Sequence, residues 1–156
     1  MKNKIGLNQE KVQELSEKLN DLLANYQLFY QNVRGFHWNI KGEKFFELHI
    51  KFEEFYDDAV LKVDEIAERI LTLGGTPLHR MEDYLEISTI KSIKSDNIGK
   101  EAVGYVIDNF STLIQKERVI LDLSDQADDE GTNSLMSDYI SQTEKTLWML
   151  NAYMRS

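Results

Sequence analysis

Helix-breaking residues are scarce in this chain, which has one proline and eight glycines among 156 residues. Apolar residues recur at the three-and-four spacing of amphipathic helices, and the period-two alternation of a surface strand is found nowhere convincingly. A chain with few breaks and no strand pattern folds into long regular elements. The sequence therefore predicts an all-α protein.

The apolar periodicity divides the first half of the chain into two long helices. The first runs from about Asn8 to the neighbourhood of Trp38, and a Lys-Gly break at residues 41–42 separates it from the second. The second carries apolar residues from Phe46 onward and ends at the Gly-Gly-Thr-Pro run of residues 74–77. Such a run is a strong helix stop, because glycine suits the left-handed cap and proline cannot continue the helix.

A long connection separates these helices from two more. Between Pro77 and about Ser95 the chain is too long for a hairpin and carries a short apolar patch, which predicts a short helix. A third long helix is predicted from about Asp96 and a fourth from about Thr132, with Trp148 in the core. Two helical hairpins joined by one long crossover describe the ferritin-like four-helix bundle.

Composition narrows the class of protein further. The length and the 42% hydrophobic content predict a single domain over residues 1–156, with residues 1–7 as a flexible tail. No stretch has the length of a signal-peptide core or of a membrane span, which favours a cytoplasmic protein. Because there are no cysteines, any metal ligands must be His, Asp or Glu. The net charge of −9 disfavours nucleic acid as a partner and favours cations.

Two pairs of ligand-type residues lie on the second helix. His49 and Glu53 are four residues apart, as are Asp64 and Glu68, so each pair shares one helix face. Glu53 and Asp64 are separated by roughly 16 Å of helix, too far for both pairs to bind one ion within a straight helix. If two copies run antiparallel about a two-fold axis, the first pair of one lies opposite the second pair of the other. The sequence therefore predicts a metal site formed by a dimer.

Other interpretations of these pairs remain open. A His and a Glu four apart are common on helices, and an Asp-x-x-x-Glu pair is usually a solvated face. An intrachain di-iron centre would need Glu-x-x-His motifs. The residues three positions before the three histidines are Arg34, Phe46 and Thr76, none of them Glu, so the sequence contains no such motif. With His37 included, two chains together supply imidazole and carboxylate ligands suited to iron, zinc or manganese.

The order of residues from His37 to Pro77 carries a further signal. It reads His37-Trp38, Gly42, Phe46, Leu48-His49, Glu53 and Tyr56, then Asp-Glu-Ile-Ala-Glu-Arg at 64–69 and Leu-Gly-Gly-Thr-Pro at 73–77. This order and spacing resemble the signature of the Dps family, the DNA-binding proteins from starved cells, also called mini-ferritins. The resemblance extends over nearly the whole chain.

The resemblance implies a hollow dodecamer of twelve bundles with ferroxidase sites at its two-fold interfaces. In such proteins Fe(II) is oxidised, preferentially by hydrogen peroxide, and the Fe(III) mineral is stored inside, which protects against oxidative stress. The iron ligands would be His37, His49 and Glu53 of one subunit with Asp64 and Glu68 of its partner. The family usually has Asp at the position of Glu53, so the second iron position could bind differently.

Aromatic residues near these ligands have two interpretations. Trp38 adjoins His37, and the resemblance implies that a tryptophan there takes up stray oxidising equivalents. Packing in the core is the alternative for Trp38, and it is the preferred interpretation for Tyr56 and Trp148.

Residues 122–130 concentrate five acids near the end of the third helix. Like charges repel, and carboxylates at the C-terminal end of a helix oppose its dipole, so this cluster lowers the stability of the fold. Attraction of passing cations would be one functional reason for it. The resemblance places this segment at three-fold iron-entry channels, with Asp122, Asp125 and Asp129 as candidates. The alternative is a solvated loop in which Asp128 or Asp129 caps the last helix.

The basic tail with which some family members bind DNA is reduced here to Lys2 and Lys4 before the first helix. Weak or absent DNA binding is therefore expected at physiological salt. A nucleoid-compacting protein with a vestigial metal site is the second hypothesis, and an intrachain di-iron oxidase is the third.

Overall fold

The computed structural model describes residues 1–94 and 99–155, and it confirms the predicted all-α bundle. The helices in these ranges are α1 (Gln9–Asn39), α2 (Phe45–Thr72), α3 (Met81–Ile87), α4 (Lys100–Gln126) and α5 (Glu130–Met154). Helix α1 packs against α2, and α4 packs against α5, so the long helices form two hairpins. The short helix α3 lies in the crossover between the hairpins and packs against α1. The predicted start of the third long helix, Asp96, lies outside the described residues.

Local sequence determines where the helices of the first hairpin begin and end. Asn8 caps α1, because its Oδ1 accepts a hydrogen bond from the backbone N–H of Lys11 at 3.1 Å. At the end of α2, Gly74 has a φ of +93°, and the N–H of Gly75 donates to the carbonyl of Ile70. This Schellman arrangement requires a left-handed residue, which glycine provides without strain.

Three asparagines of α1 hold the crossover segment against the bundle. The first is Asn20, whose Oδ1 accepts a hydrogen bond from the N–H of Leu78 at 2.8 Å. Asn25 is fully buried, and its Oδ1 accepts hydrogen bonds from the backbone N–H groups of Thr89 and Ile90 at 3.1 and 2.9 Å. Seven residues later, Oδ1 of Asn32 accepts a hydrogen bond from the N–H of Ile93 at 3.0 Å. Buried backbone groups need such partners, so these side chains replace the ladder bonds that an irregular segment lacks.

The apolar faces of the four long helices form the core, as the periodicity predicts. Fully buried side chains include Leu15, Leu19, Leu22, Phe29, Phe52, Ile66, Ile70, Leu113, Ile120 and Met136. Trp148 was predicted in this core, but that prediction is wrong, because its side chain is 67% exposed in the single chain. A helix turns about 100° per residue, so Trp148 projects away from the face that neighbouring Leu147 presents to the core.

None of the described helices is long and apolar enough to cross a bilayer.

The carboxyl group of Glu117 lies inside this core. Glu117 of α4 has no exposed surface, and the hydroxyl of Tyr26 donates a hydrogen bond of 2.5 Å to its Oε2. Burial raises the pKa of Glu117 to about 7, although the hydrogen bond from Tyr26 and the charge of Lys62 act in the opposite direction. Glu117 therefore takes up a proton more readily in the folded chain than in the unfolded chain.

This pKa predicts a pH-dependent loss of stability that Glu117→Gln removes. Because the folded pKa is the raised one, the stabilising contribution is complete below the unfolded pKa and is lost as the pH rises through about 7. The native protein should lose up to about 3 kcal/mol relative to Glu117→Gln between pH 4.5 and 8. Urea denaturation at fixed protein concentration measures this difference, and Glu144→Gln, at an exposed acid, is the control. Parallel pH profiles for native protein and Glu117→Gln would contradict it.

Candidate metal site

The hairpin between α1 and α2 brings two histidines into contact. His37 lies in the last turn of α1 and His49 in the second turn of α2, and their rings stack with centroids 3.8 Å apart and planes 11° from parallel. His37 is buried and His49 is half-buried. The ring of Phe45 stacks on the His49 ring at 4.9 Å, so both imidazoles are held between aromatic and helical surfaces.

Reciprocal hydrogen bonds fix the tautomer of each histidine. Nδ1 of His37 lies 2.6 Å from the carbonyl oxygen of His49, and Nδ1 of His49 lies 2.7 Å from the carbonyl oxygen of His37. A carbonyl oxygen can only accept, so each Nδ1 carries the hydrogen and donates it. In the neutral ring the lone pair then belongs to Nε2, which is the atom free to bind a metal ion. Each histidine therefore holds the other in the tautomer whose Nε2 can bind a metal ion.

The carboxylate of Glu53 completes this group. Its Oε1 lies 3.8 Å from Nε2 of His37, and the hydroxyl of Tyr56 lies 3.4 Å from the same oxygen as a hydrogen-bond donor. The Tyr56 ring also meets the His37 ring edge-on at 5.2 Å. The half-buried side chain packs against the core, as predicted, and it also contacts two of the predicted ligands. Its position three residues after Glu53 is the sequence signal for this contact.

Asp64 and Glu68 lie farther along α2 and are both exposed. The structure therefore brings together three of the five predicted ligands and leaves the other two at a distance along the helix. Within the residues described for one chain, no group of three or more His, Asp or Glu side chains is arranged to hold a metal ion. A complete set of five ligands would need carboxylates from a second chain.

These carboxylates belong to one exposed stripe of α2. The stripe recurs every three or four residues and consists of Phe46, Ile50, Glu53, Asp57, Val60, Asp64, Glu68 and Leu71, all of them exposed. Apolar residues at this spacing on an outer face are those that a second helix would cover. Four large apolar side chains of the stripe, with the acids between them, are left uncovered in the single chain.

Trp38 lies on the surface of the single chain, with 57% of its area exposed. The guanidinium of Arg34 lies over its ring, 4.8 Å from the centroid, and over the ring of Tyr30 at 5.1 Å. Packing in the core of its own chain is therefore not the role of Trp38. The charged group nearest to its ring is therefore a cation, a contact that was not predicted.

The acidic segment after α4 divides into exposed and buried residues. Asp122 and Asp125 are exposed, as lining residues of a channel would be. Asp129 is 1% exposed, and its Oδ1 accepts hydrogen bonds from Arg69 at 2.7 Å and from the N–H of Thr132 at 3.0 Å. The capping alternative is thus confirmed for Asp129, and its assignment to a channel is corrected, because a buried and paired carboxylate cannot line one.

Comparisons with known proteins agree on one family. A family model described as a ferritin-like domain matches residues 16–156. The chain is 42% identical over 148 residues to the DNA protection during starvation protein of Porphyromonas gingivalis. The matched region covers 95% of this chain and 93% of that protein. It is also similar to the crystal structure of a Dps protein from Vibrio cholerae, described as a member of a broad superfamily of ferritin-like diiron-carboxylate proteins. That structure has a TM-score of 0.96 at 51% identity and covers 98% of this chain and 96% of its own. A Dps structure from Bacillus brevis has a TM-score of 0.90 at 36% identity, covering 93% of this chain and 97% of its own.

Proposed function

The chain belongs to the Dps family of ferritin-like proteins, and on this premise we propose that it oxidises Fe(II) at sites between two subunits and stores the Fe(III) mineral in a hollow dodecamer. The observation that carries the proposal is the reciprocal hydrogen bonding of His37 and His49. It leaves Nε2 of both rings available to bind a metal ion, and Oε1 of Glu53 lies 3.8 Å from Nε2 of His37. Imidazole nitrogen and carboxylate oxygen together suit iron in both oxidation states.

The register of α2 supports a site shared by two chains. His49 and Glu68 are equally distant from the midpoint between positions 58 and 59, and so are Glu53 and Asp64. A two-fold axis at this midpoint therefore places both pairs opposite each other when two α2 helices run antiparallel. One axis satisfies both ligand pairs, and it generates two equivalent sites for each dimer.

The apolar members of the α2 stripe support the same pairing. Phe46, Ile50, Val60 and Leu71 lie on the helix face that carries the carboxylates. Exposed large apolar side chains grouped on one helix face mark an interaction surface. Burying them against their copies would stabilise the dimer and would remove water from the acids between them, which strengthens the attraction of those acids for a cation.

The chemistry requires two Fe(II) ions at one site. Each ion gives up one electron, and hydrogen peroxide takes the two electrons with two protons to form two molecules of water. Paired oxidation in this way releases no hydroxyl radical, so the protein would remove iron and peroxide together. His37 and His49 hold the ions by nitrogen, and the carboxylates stabilise Fe(III) as it forms. The longer side chain of Glu53, compared with the usual Asp, changes the reach of one ligand without changing its charge.

Stoichiometry and radical yield test this function. When Fe(II) and peroxide are mixed with the protein under anaerobic conditions, two Fe(II) should be consumed for each peroxide, and spin trapping should detect less hydroxyl adduct than in buffer. A parallel reaction with dioxygen shows which oxidant is faster. Radical yields equal to those in buffer would contradict the proposal.

Asp122 and Asp125 remain the proposed lining of an iron-entry channel. The double substitution Asp122→Asn with Asp125→Asn should slow Fe(II) uptake several-fold, because the segment loses negative potential that concentrates cations, as electrostatic steering does elsewhere. Fe(II) affinity at the two-fold sites should not change. Stopped-flow absorbance measures uptake, and Asp108→Asn, at another exposed acid of α4, is the control. Equal uptake rates in native and doubly substituted protein would favour a merely solvated segment.

DNA is not expected to be a strong partner of this assembly. Net charge is −9, and in the N-terminal segment before α1 the basic side chains are Lys2 and Lys4. Twelve copies of such a segment could add weak contacts, but the bodies that carry them are acidic.

A further inference from the structure

We infer that Tyr56, rather than Trp38, is the first side chain oxidised when a site holds a single Fe(II). The inference rests on the proposed function and assigns a donor for its incomplete reaction. One Fe(II) supplies one electron, whereas peroxide needs two, so a half-filled site releases a hydroxyl radical unless a nearby side chain supplies the second electron. The structure places the Tyr56 hydroxyl at this point, 3.4 Å from Oε1 of the ligand Glu53.

The position of Tyr56 is fixed by contacts on several sides. Its ring packs edge-on against the ligand His37 at 5.2 Å and against Tyr30 at 6.1 Å, both at nearly perpendicular angles. The hydroxyl is therefore held beside the ligands.

The surroundings of Trp38 oppose its oxidation. The Arg34 guanidinium lies 4.8 Å from the centroid of the Trp38 ring, where a cation is attracted by the electrons of an intact ring. Removing one electron from that ring would create a radical cation directly under a fixed positive charge, which is unfavourable. Tyr56 instead loses a neutral hydrogen atom and leaves a neutral radical, so no new positive charge forms.

The reaction balances with the reagents of the proposed function. Fe(II) gives one electron to hydrogen peroxide, whose O–O bond breaks to give hydroxide and a hydroxyl radical, with iron left as Fe(III). The hydroxyl radical takes the hydrogen atom from the Tyr56 O–H bond and becomes water. The products are Fe(III), hydroxide, water and a neutral tyrosyl radical on Tyr56.

Rapid freeze-quench electron paramagnetic resonance tests the assignment. Protein loaded anaerobically with a single Fe(II) per site is mixed with hydrogen peroxide, and the native protein should show a tyrosyl signal whose hyperfine structure narrows when the tyrosines are ring-deuterated. Tyr56→Phe keeps the ring and removes the hydroxyl, and it should lose most of this signal while more hydroxyl adduct reaches a spin trap. Trp38→Phe should keep the tyrosyl signal.

Tyr105 provides a matched control. Its hydroxyl also donates a hydrogen bond of 3.4 Å to a glutamate, Glu101, but that glutamate is not a predicted ligand. Tyr105→Phe should therefore retain the native signal. An undiminished tyrosyl signal in Tyr56→Phe, or a tryptophanyl signal in the native protein that disappears in Trp38→Phe, would overturn the inference.

A different result is expected if the protein does not oxidise Fe(II) at the proposed site. Stopped-flow oxidation of Fe(II) is recorded on the same native samples and on Asp64→Asn. If native protein oxidises Fe(II) no faster than Asp64→Asn, the proposed site itself is wrong, and the assignment of Tyr56 is overturned with it. If the native protein is faster but Tyr56→Phe keeps its tyrosyl signal, the assignment of Tyr56 alone is overturned.

Discussion

Asp64→Asn is expected to lower the affinity of the assembled protein for Fe(II) by at least about 100-fold. Loss of a residue that only hydrogen-bonds to a metal ligand costs less than this, whereas Asp64 is proposed to bind the metal directly. Asparagine keeps the size of the side chain but removes the negative charge that balances the cation and stabilises Fe(III). Because Asp64 lies on an exposed face of α2, away from the core, the fold should be unaffected. Anaerobic titration with Fe(II), followed by calorimetry, measures the change.

The matched control is Glu54→Gln, which neutralises another exposed acid of α2 and breaks only its surface pair with Lys51. This variant should bind Fe(II) as the native protein does. Hydroxyl-radical yield offers a second readout, because Asp64→Asn should no longer suppress the adduct formed from Fe(II) and peroxide. Native affinity in Asp64→Asn would remove Asp64 from the site.

Arg69→Met is expected to destabilise the fold by about 3–5 kcal/mol, the usual cost of leaving a buried charge without its partner. Arg69 of α2 donates to Oδ1 of Asp129 at 2.7 Å and to the hydroxyl of Thr132 at 2.9 Å, so it ties the end of α2 to the start of α5. A side chain at Gly131 would meet the guanidinium at about 2.7 Å, which shows how closely the turn packs on Arg69. Chemical denaturation at fixed protein concentration measures the loss.

Arg80→Met is the control, because Arg80 is 60% exposed in its ion pair with Glu82 and should contribute little. A double variant sharpens the test. If Asp129 is the charge left unpaired, Arg69→Met combined with Asp129→Asn should cost clearly less than the sum of the two single changes. A loss for Arg69→Met no larger than that for Arg80→Met would contradict the structural role.

The fold could be predicted from the sequence because its determinants are local. Periodicity placed the long helices, and individual residues set their ends, such as the Asn8 cap and the left-handed Gly74. The crossover was predicted by its length, but its anchoring was not. Asn25 and Asn32 look like ordinary polar residues of a helix, and only the packed structure shows that they bind a distant segment.

The contacts made by the candidate ligands could be predicted from the sequence only in part. Helical spacing grouped the ligands in pairs, but the reciprocal bonds of His37 and His49 depend on how the hairpin closes. Asp129 was one acid among five by sequence, and its buried pairing with Arg69 comes from a contact across sixty residues. The cation over Trp38 is different, because Arg34 lies one turn earlier on α1 and its contact with the ring follows from helical spacing.

The most direct test of the shared site is complementation between two inactive variants. His49→Ala and Asp64→Asn are each expected to be inactive when assembled alone, because every site loses one ligand. When the two are dissociated, mixed and reassembled, each mixed dimer has one site with neither change and one site with both. Random pairing should therefore restore roughly a quarter of the native Fe(II) oxidation rate. A mixture that stays as inactive as its components would contradict a site built from two chains.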